Sequence, residues 1–145
     1  MEVSTAGACN HRCIYCGLDF MEYQRRFLDT EMLKQRLCEL GRLGIKSIMY
    51  AGEGEPFLHN DMPELIIHTR NCGIDGAVTT NGVLFSKDIA EQVLDSLEWV
   101  KVSINAATAE TYSMIHRCQQ GDFDRVIENM KYAAELKRDN GYKCT

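Results

Sequence analysis

The chain has 145 residues, 45% of them hydrophobic and 26% charged, an ordinary composition for a single folded domain with a real core. A net charge of −5 leaves no basic footprint for a nucleic-acid backbone, and Arg25-Arg26 is an isolated pair, so a nucleic-acid partner is disfavoured. Seven cysteines, an odd number with three clustered, suit a reducing cytoplasm better than a secreted disulfide framework.

Met1 to Thr5 shows no basic region followed by an apolar stretch, so it does not read as a secretory signal. No apolar run approaches the roughly eighteen residues that a membrane span needs. These features predict a soluble, cytoplasmic protein without membrane contact.

Glu2 to Ala6 reads as a first strand leading into Cys9-Asn10-His11-Arg12-Cys13-Ile14-Tyr15-Cys16. A four-iron cluster wants a thiolate at each corner, so Cys9, Cys13 and Cys16 without a nearby fourth cysteine would leave one iron open to a ligand. Three plainer readings compete. A fully ligated electron-transfer cluster would carry a fourth cysteine followed by proline, but Cys16 is followed by Gly17-Leu18-Asp19-Phe20. Structural zinc would want a second Cys or His pair, and Cys38, Cys72, Cys118 and Cys144 are scattered singly. Packing of the three on one helical face is opposed by Gly7, Asn10 and Gly17. Beyond the loop, Phe20, Met21, Tyr23 and Phe27 are apolar enough to shield a cluster from water.

Thr30 is predicted to cap a helix with Leu33, Leu37 and Leu40 inward, ended by Gly41 and Gly44. Ile45 to Tyr50 is a strand running into Gly52-Glu53-Gly54-Glu55-Pro56. A second helix starts at Asn60 or Asp61, with Pro63 and Glu64 in its first turn, and stops at Gly73. Gly76 to Thr80 is the third strand and Asn81-Gly82 its turn. Ser86 caps a third helix with Ile89, Val93, Leu94 and Leu97 inward, and Val100 to Ile104 alternates as a fourth strand. A short helical turn follows Thr108. Asp122 is predicted to cap the last helix, with Val126, Ile127, Met130, Ala133 and Leu136 inward, and Asp139 to Tyr142 forms a turn.

The alternation predicts an α/β fold with a parallel sheet and helices packed against it, in one domain over residues 1–145. Ligands in such sheets sit at the carboxyl ends of the strands. The cysteine loop, the Gly-Glu-Gly-Glu-Pro turn, Thr80-Asn81-Gly82 and Ser103-Ile104-Asn105 all fall there. Each of the last three has a plain alternative. They are a tight turn with solvated acids, a strand exit, and a hydrogen-bonded core hydroxyl. His11, His59, His68 and His116 stand isolated, and no role is assigned to them.

CxxxCxxC with an aromatic before its third cysteine resembles the radical S-adenosylmethionine (radical SAM) superfamily. The similarity runs from the first strand to the helix ending near Arg138, and it leans toward the branch of molybdopterin-precursor and peptide-maturing enzymes. It implies a partial (β/α) barrel with about four of the six strand–helix units present. Cys144-Thr145 stands where the fifth strand should begin, and the chain is expected to be a fragment of a longer one, the alternative being a naturally shortened protein with a partner over that sheet edge.

The resemblance further implies a 4Fe-4S cluster on Cys9, Cys13 and Cys16, with SAM on its open iron. Gly54-Glu55-Pro56 matches a turn that holds the cofactor's amino group, although Glu53 replaces the family's first glycine. Thr80 and Ser103 would line the ribose and carboxylate, Tyr15 would touch the adenine, and Arg117 would face the carboxylate or else be a surface charge. Reductive cleavage would give a 5′-deoxyadenosyl radical that takes hydrogen from a peptide or small-molecule substrate, with flavodoxin or ferredoxin as electron donor. The rival reading is a non-catalytic iron–sulfur or electron-transfer module that makes no use of Glu55, Thr80 or Ser103.

Overall fold

A computed structural model of the chain describes residues 1–21 and 25–145, so Tyr23 lies outside the described residues. Among the described residues the strands are β1 (Glu2–Val3), β2 (Ser47–Tyr50), β3 (Asp75–Thr80) and β4 (Leu97–Val102). They form one sheet in the order β1-β2-β3-β4, with every pairing parallel. Val3, Tyr50, Val78 and Val100 stand in register across it. The helices are α1 (Thr30–Arg42), α2 (Met62–Asn71), α3 (Lys87–Val93), α4 (Ala109–His116) and α5 (Gly121–Asn140). This is the parallel α/β sheet that the alternation predicted, in the partial-barrel form that the resemblance implied.

Period two in the strands and period 3.6 in the helices meet in one core. Ile48 and Tyr50 of β2 and Val78 of β3 pack with Leu37 of α1, Leu65 and Ile66 of α2, and Val93 of α3. A second cluster, Val83, Tyr112 and Val126, lies under α4 and α5. No helix among the described residues is long and apolar enough to cross a membrane.

Several predicted boundaries move. Asp29, not Thr30, caps α1, its carboxylate accepting from the Met32 amide at 2.8 Å; the Thr30 hydroxyl donates to Asp61 instead. Gly41 stays inside α1. Ser86 caps α3 as expected, accepting from the Ile89 amide at 3.4 Å.

Leu97 opens β4 rather than completing α3, because a tight turn over Leu94–Ser96 returns the chain to the sheet early. The strand is therefore Leu97–Val102 and not Val100 to Ile104, although the Ser103 amide still donates to the Thr80 carbonyl at 2.9 Å. The turn after Thr108 is a full helix, α4. Asp122 sits inside the first turn of α5 and caps nothing; Ile127 is 42% exposed, while Val126 and Ala133 face inward. At the far edge the Thr145 amide donates to the Glu98 carbonyl at 2.9 Å and the Val100 amide to the Thr145 carbonyl at 2.8 Å. Thr145 is thus seated against β4 opposite Trp99, in the pattern of a parallel ladder.

Candidate functional site

The cysteine loop leaves β1 and comes back along its own start. The Gly7 amide donates to the Arg26 carbonyl at 2.8 Å and the Leu28 amide to the Thr5 carbonyl at 3.0 Å, with Ala6 and Phe27 paired antiparallel. Within this clamp the loop is laid against the end of α4. The Arg12 amide donates to the His116 carbonyl at 3.0 Å, and the Ile14 amide to the Ile115 carbonyl at 2.9 Å. A turn in which the Cys16 amide donates to the Cys13 carbonyl at 3.0 Å brings those two side chains round. Phe20 and Met21 are 94% and 69% exposed, so they do not shield the loop as expected; their short turn points into solvent.

Cys9, Cys13 and Cys16 are all partly buried and line one cavity of about 260 Å³, together with Glu55, Thr80 and Ser103. Gly54 and Tyr15 line it too, and the Tyr15 hydroxyl donates to Asn105 Oδ1 at 2.9 Å. Four strand ends thus converge on one space. Burial pushes the Cys9 thiol up to about 11, opposed by the His11 amide that donates to its sulfur at 3.4 Å. Cys13 is raised as well, chiefly by burial. A thiol so placed ionises readily only when a cation takes the sulfur.

Glu55 is 2% exposed and ties three of these segments together. Its Oε1 accepts from the Thr80 hydroxyl at 2.6 Å and the Phe57 amide at 3.2 Å, and its Oε2 from the Asn81 amide at 2.8 Å. Its own amide donates to the Ala8 carbonyl at 2.7 Å, next to Cys9. Burial raises its pKa, and the three donors work against that rise. A carboxylate offers about four acceptor positions, so one remains for a further donor.

Gly54, at φ +70°, fits because a Cβ there would stand 2.3 Å from the carbonyls of both Ala6 and Ala8. The close approach this glycine allows is therefore to the backbone leading into the cysteine loop. Pro56 does not line the cavity; it is buried in the short turn that Glu55 caps. Arg117 does not line it either. It ends α4 in the left-handed region at φ 46°, and its exposed guanidinium lies 3.8 Å from Asp19.

Two of the isolated histidines, His11 and His116, come together here. His116 Nε2 donates to the Ile104 carbonyl at 2.8 Å, since a carbonyl can only accept, and this leaves Nδ1 to accept from the Cys13 thiol at 3.2 Å. Its ring stacks on Tyr112 at 4.2 Å between centroids. His11 packs edge-on against both rings, with Nε2 3.4 Å from Asp122. Burial holds His11 below the ordinary histidine range, with His116 adding to the effect and Asp122 opposing it. The i, i+4 spacing of Tyr112 and His116 on α4 was the one sequence signal for this cluster.

The sequence profile of the Radical SAM superfamily matches residues 3–145. The chain belongs to the radical SAM superfamily. Enzymes of this superfamily use a 4Fe-4S cluster and SAM. Among curated relatives, GTP 3′,8-cyclase of Chlorobaculum tepidum is 33% identical over 119 residues, covering 81% of this chain and 36% of that protein. GTP 3′,8-cyclase of Petrotoga mobilis is 34% identical over 143 residues, covering 94% of this chain and 43% of that one. The chain therefore spans less than half the length of these relatives. In fold it is similar to Streptococcus suis SuiB bound to S-adenosylmethionine, with a TM-score of 0.78 at 22% identity over 99% of this chain and 32% of that one.

Proposed function

We propose that Cys9, Cys13 and Cys16 hold a 4Fe-4S cluster through three thiolates, leaving one iron for SAM. The observation that carries this reading is the opening of all three cysteines onto the cavity that also contains buried Glu55. When bound, the cluster and SAM supply an electron and a hydrogen-abstracting 5′-deoxyadenosyl radical.

The chain's own residues bind, orient and exclude water. Glu55, a buried acceptor with one position left, takes an ammonium group of the methionine portion. Thr80 and Asn81 fix the direction of that carboxylate. Gly54 and Pro56 shape the turn that carries it, Ser103 offers a hydroxyl at the end of β4, and Tyr15 offers a ring face for the adenine. Arg117, held near Asp19, is left out of the set.

The hydrogen donor is a peptide or small molecule, and the GTP 3′,8-cyclase relatives support the latter. The electron comes from a donor such as flavodoxin or ferredoxin, and the chain works in the cytoplasm as one domain over residues 1–145.

Anaerobic reconstitution with iron and sulfide, followed by electron paramagnetic resonance of the reduced sample with and without SAM, tests the proposal. A four-iron signal that shifts on adding SAM is expected. A signal indifferent to SAM would leave the chain an iron–sulfur module without a cofactor site, and a Cys13→Ala variant that keeps its full iron content would remove Cys13 from the ligands.

A further inference from the structure

The four cysteines outside the loop stand singly in the sequence, yet two of them meet in the fold. Cys38 lies on α1. His68 lies in the last turn of α2, and Cys72 ends that helix four residues later, so the two share one face. Because α2 leads directly into β3, its last turn lies at the amino ends of the strands. The cysteine loop occupies the opposite end.

α1 and α2 pack side by side and bring the two faces together. Cys38 Sγ is 3.3 Å from His68 Nε2, and the sulfurs of Cys38 and Cys72 and a ring nitrogen of His68 all lie within 4.8 Å of one another. The three residues are partly buried, and a groove of about 420 Å³ reaches Cys38 and His68 between Glu39 and Lys34.

We propose that Cys38, His68 and Cys72 form a second metal site, one that takes a thiophilic divalent ion such as zinc with a solvent molecule in the fourth position. Two sulfurs and one imidazole are the donors that a tetrahedral d¹⁰ ion prefers. Bond lengths of about 2.0 to 2.3 Å put neighbouring ligand atoms roughly 3.5 Å apart in a tetrahedron, so the site closes by little more than an ångström at most.

The protons balance. Both thiols release theirs to solvent, the imidazole binds neutral, and two thiolates cancel the charge of the ion. His68 Nε2 now contacts the Lys34 carbonyl at 3.0 Å; the ring gives up that contact and carries its hydrogen on Nδ1 when the metal binds. The bond exchanged is one accepted by a helix carbonyl. The site does not depend on what the cysteine loop binds.

The test is an anaerobic titration with cobalt(II) of a Cys9→Ser, Cys13→Ser, Cys16→Ser, Cys118→Ser variant, which removes the thiols of the loop and of the neighbouring His11, Cys118 and Asp122 group. One cobalt per chain with thiolate charge-transfer bands and intense tetrahedral visible bands, bleached by zinc, is expected. Adding Cys38→Ser, Cys72→Ser or His68→Ala to that background should weaken binding at least tenfold.

Absence of thiolate bands at millimolar cobalt, or bands that survive both cysteine substitutions, would overturn the proposal. Should that background variant fail to fold, the same question is put to iron-reconstituted wild type. Zinc should then raise its melting temperature, and a folded Cys38→Ser, Cys72→Ser protein should show no rise; an equal rise in both would overturn the proposal. A Cys38–Cys72 disulfide that formed in air and proved indifferent to zinc under reduction would also count against it.

Discussion

His116 Nδ1 stands 3.2 Å from Cys13 Sγ, joining residues 103 positions apart, while the other nitrogen of the same ring holds the Ile104 carbonyl. The loop that carries Cys13 is therefore fastened to the end of α4 by a side chain as well as by the Arg12 and Ile14 amides. Replacing His116 with Phe keeps a ring on Tyr112 but strands the Ile104 carbonyl and the Cys13 thiol. A loss of about 1 to 3 kcal/mol is expected. Urea unfolding measures it, and an unchanged midpoint would show that His116 is only packing.

Thr80→Val removes one of the three donors to buried Glu55, and the acceptor of the Gly82 amide at 3.0 Å, without changing the shape of the side chain. Removing one partner of a buried hydrogen bond costs about 1 to 3 kcal/mol, and the variant should lose a stability of that order. Because the valine leaves the backbone of β3 intact, circular dichroism of the folded variant should match wild type. A variant as stable as wild type would mean that Glu55 is held sufficiently by the Asn81 and Phe57 amides.

The pH dependence follows from the sign of the Glu55 shift. Its folded value is raised above 4.5 by burial, so the fold holds a proton there more tightly than the unfolded chain does. The stability this group contributes is complete below the unfolded value and is lost as pH rises through the folded one. Glu55→Gln removes the titration. Relative to that variant, wild type should weaken steadily as pH climbs from about 4.5. Denaturant midpoints of the two proteins that stayed parallel from pH 4 to pH 8 would contradict the burial-driven shift.

Gly54 and Gly44 form a matched pair. Both have positive φ, +70° and +93°, but a Cβ at Gly44 meets open space whereas one at Gly54 would strike the carbonyls of Ala6 and Ala8. Gly44→Ala should cost about 1 kcal/mol from backbone conformation alone. Gly54→Ala should cost several times as much and should also reduce the iron retained after reconstitution, because the displaced backbone leads to Cys9. Equal melting temperatures for the two variants would show that the strand yields without cost.

Much of this was legible in the chain. Turn residues after β2 and β3 placed those two strand ends correctly, because glycine, asparagine and proline act through local backbone geometry. The misplaced boundaries have a shared cause. Leu94 and Leu97 fit a helical period as well as the return to a strand, and the short turn between them carries no signal in sequence. Asp122 has the right chemistry for a cap but is drawn inward by His11, a residue 111 positions earlier. His116 beside Cys13, and Cys38 beside Cys72, were invisible for the same reason. Their partners are set by the packing of helices, which no local pattern encodes.

The seating of Gly54 on Ala6 and Ala8, with the Glu55 amide bonded to the Ala8 carbonyl, bears on how this domain could be inherited or re-engineered. The cysteine loop and the acidic turn, more than thirty residues apart in the chain, are cast against each other like the two halves of a mould. A graft that carried one into a foreign scaffold without the other would import a shape with nothing to complete it, so any transplant keeps Glu2 through Leu58 unbroken and brings with it the end of β3 that holds Glu55 and the end of α4 that holds the loop.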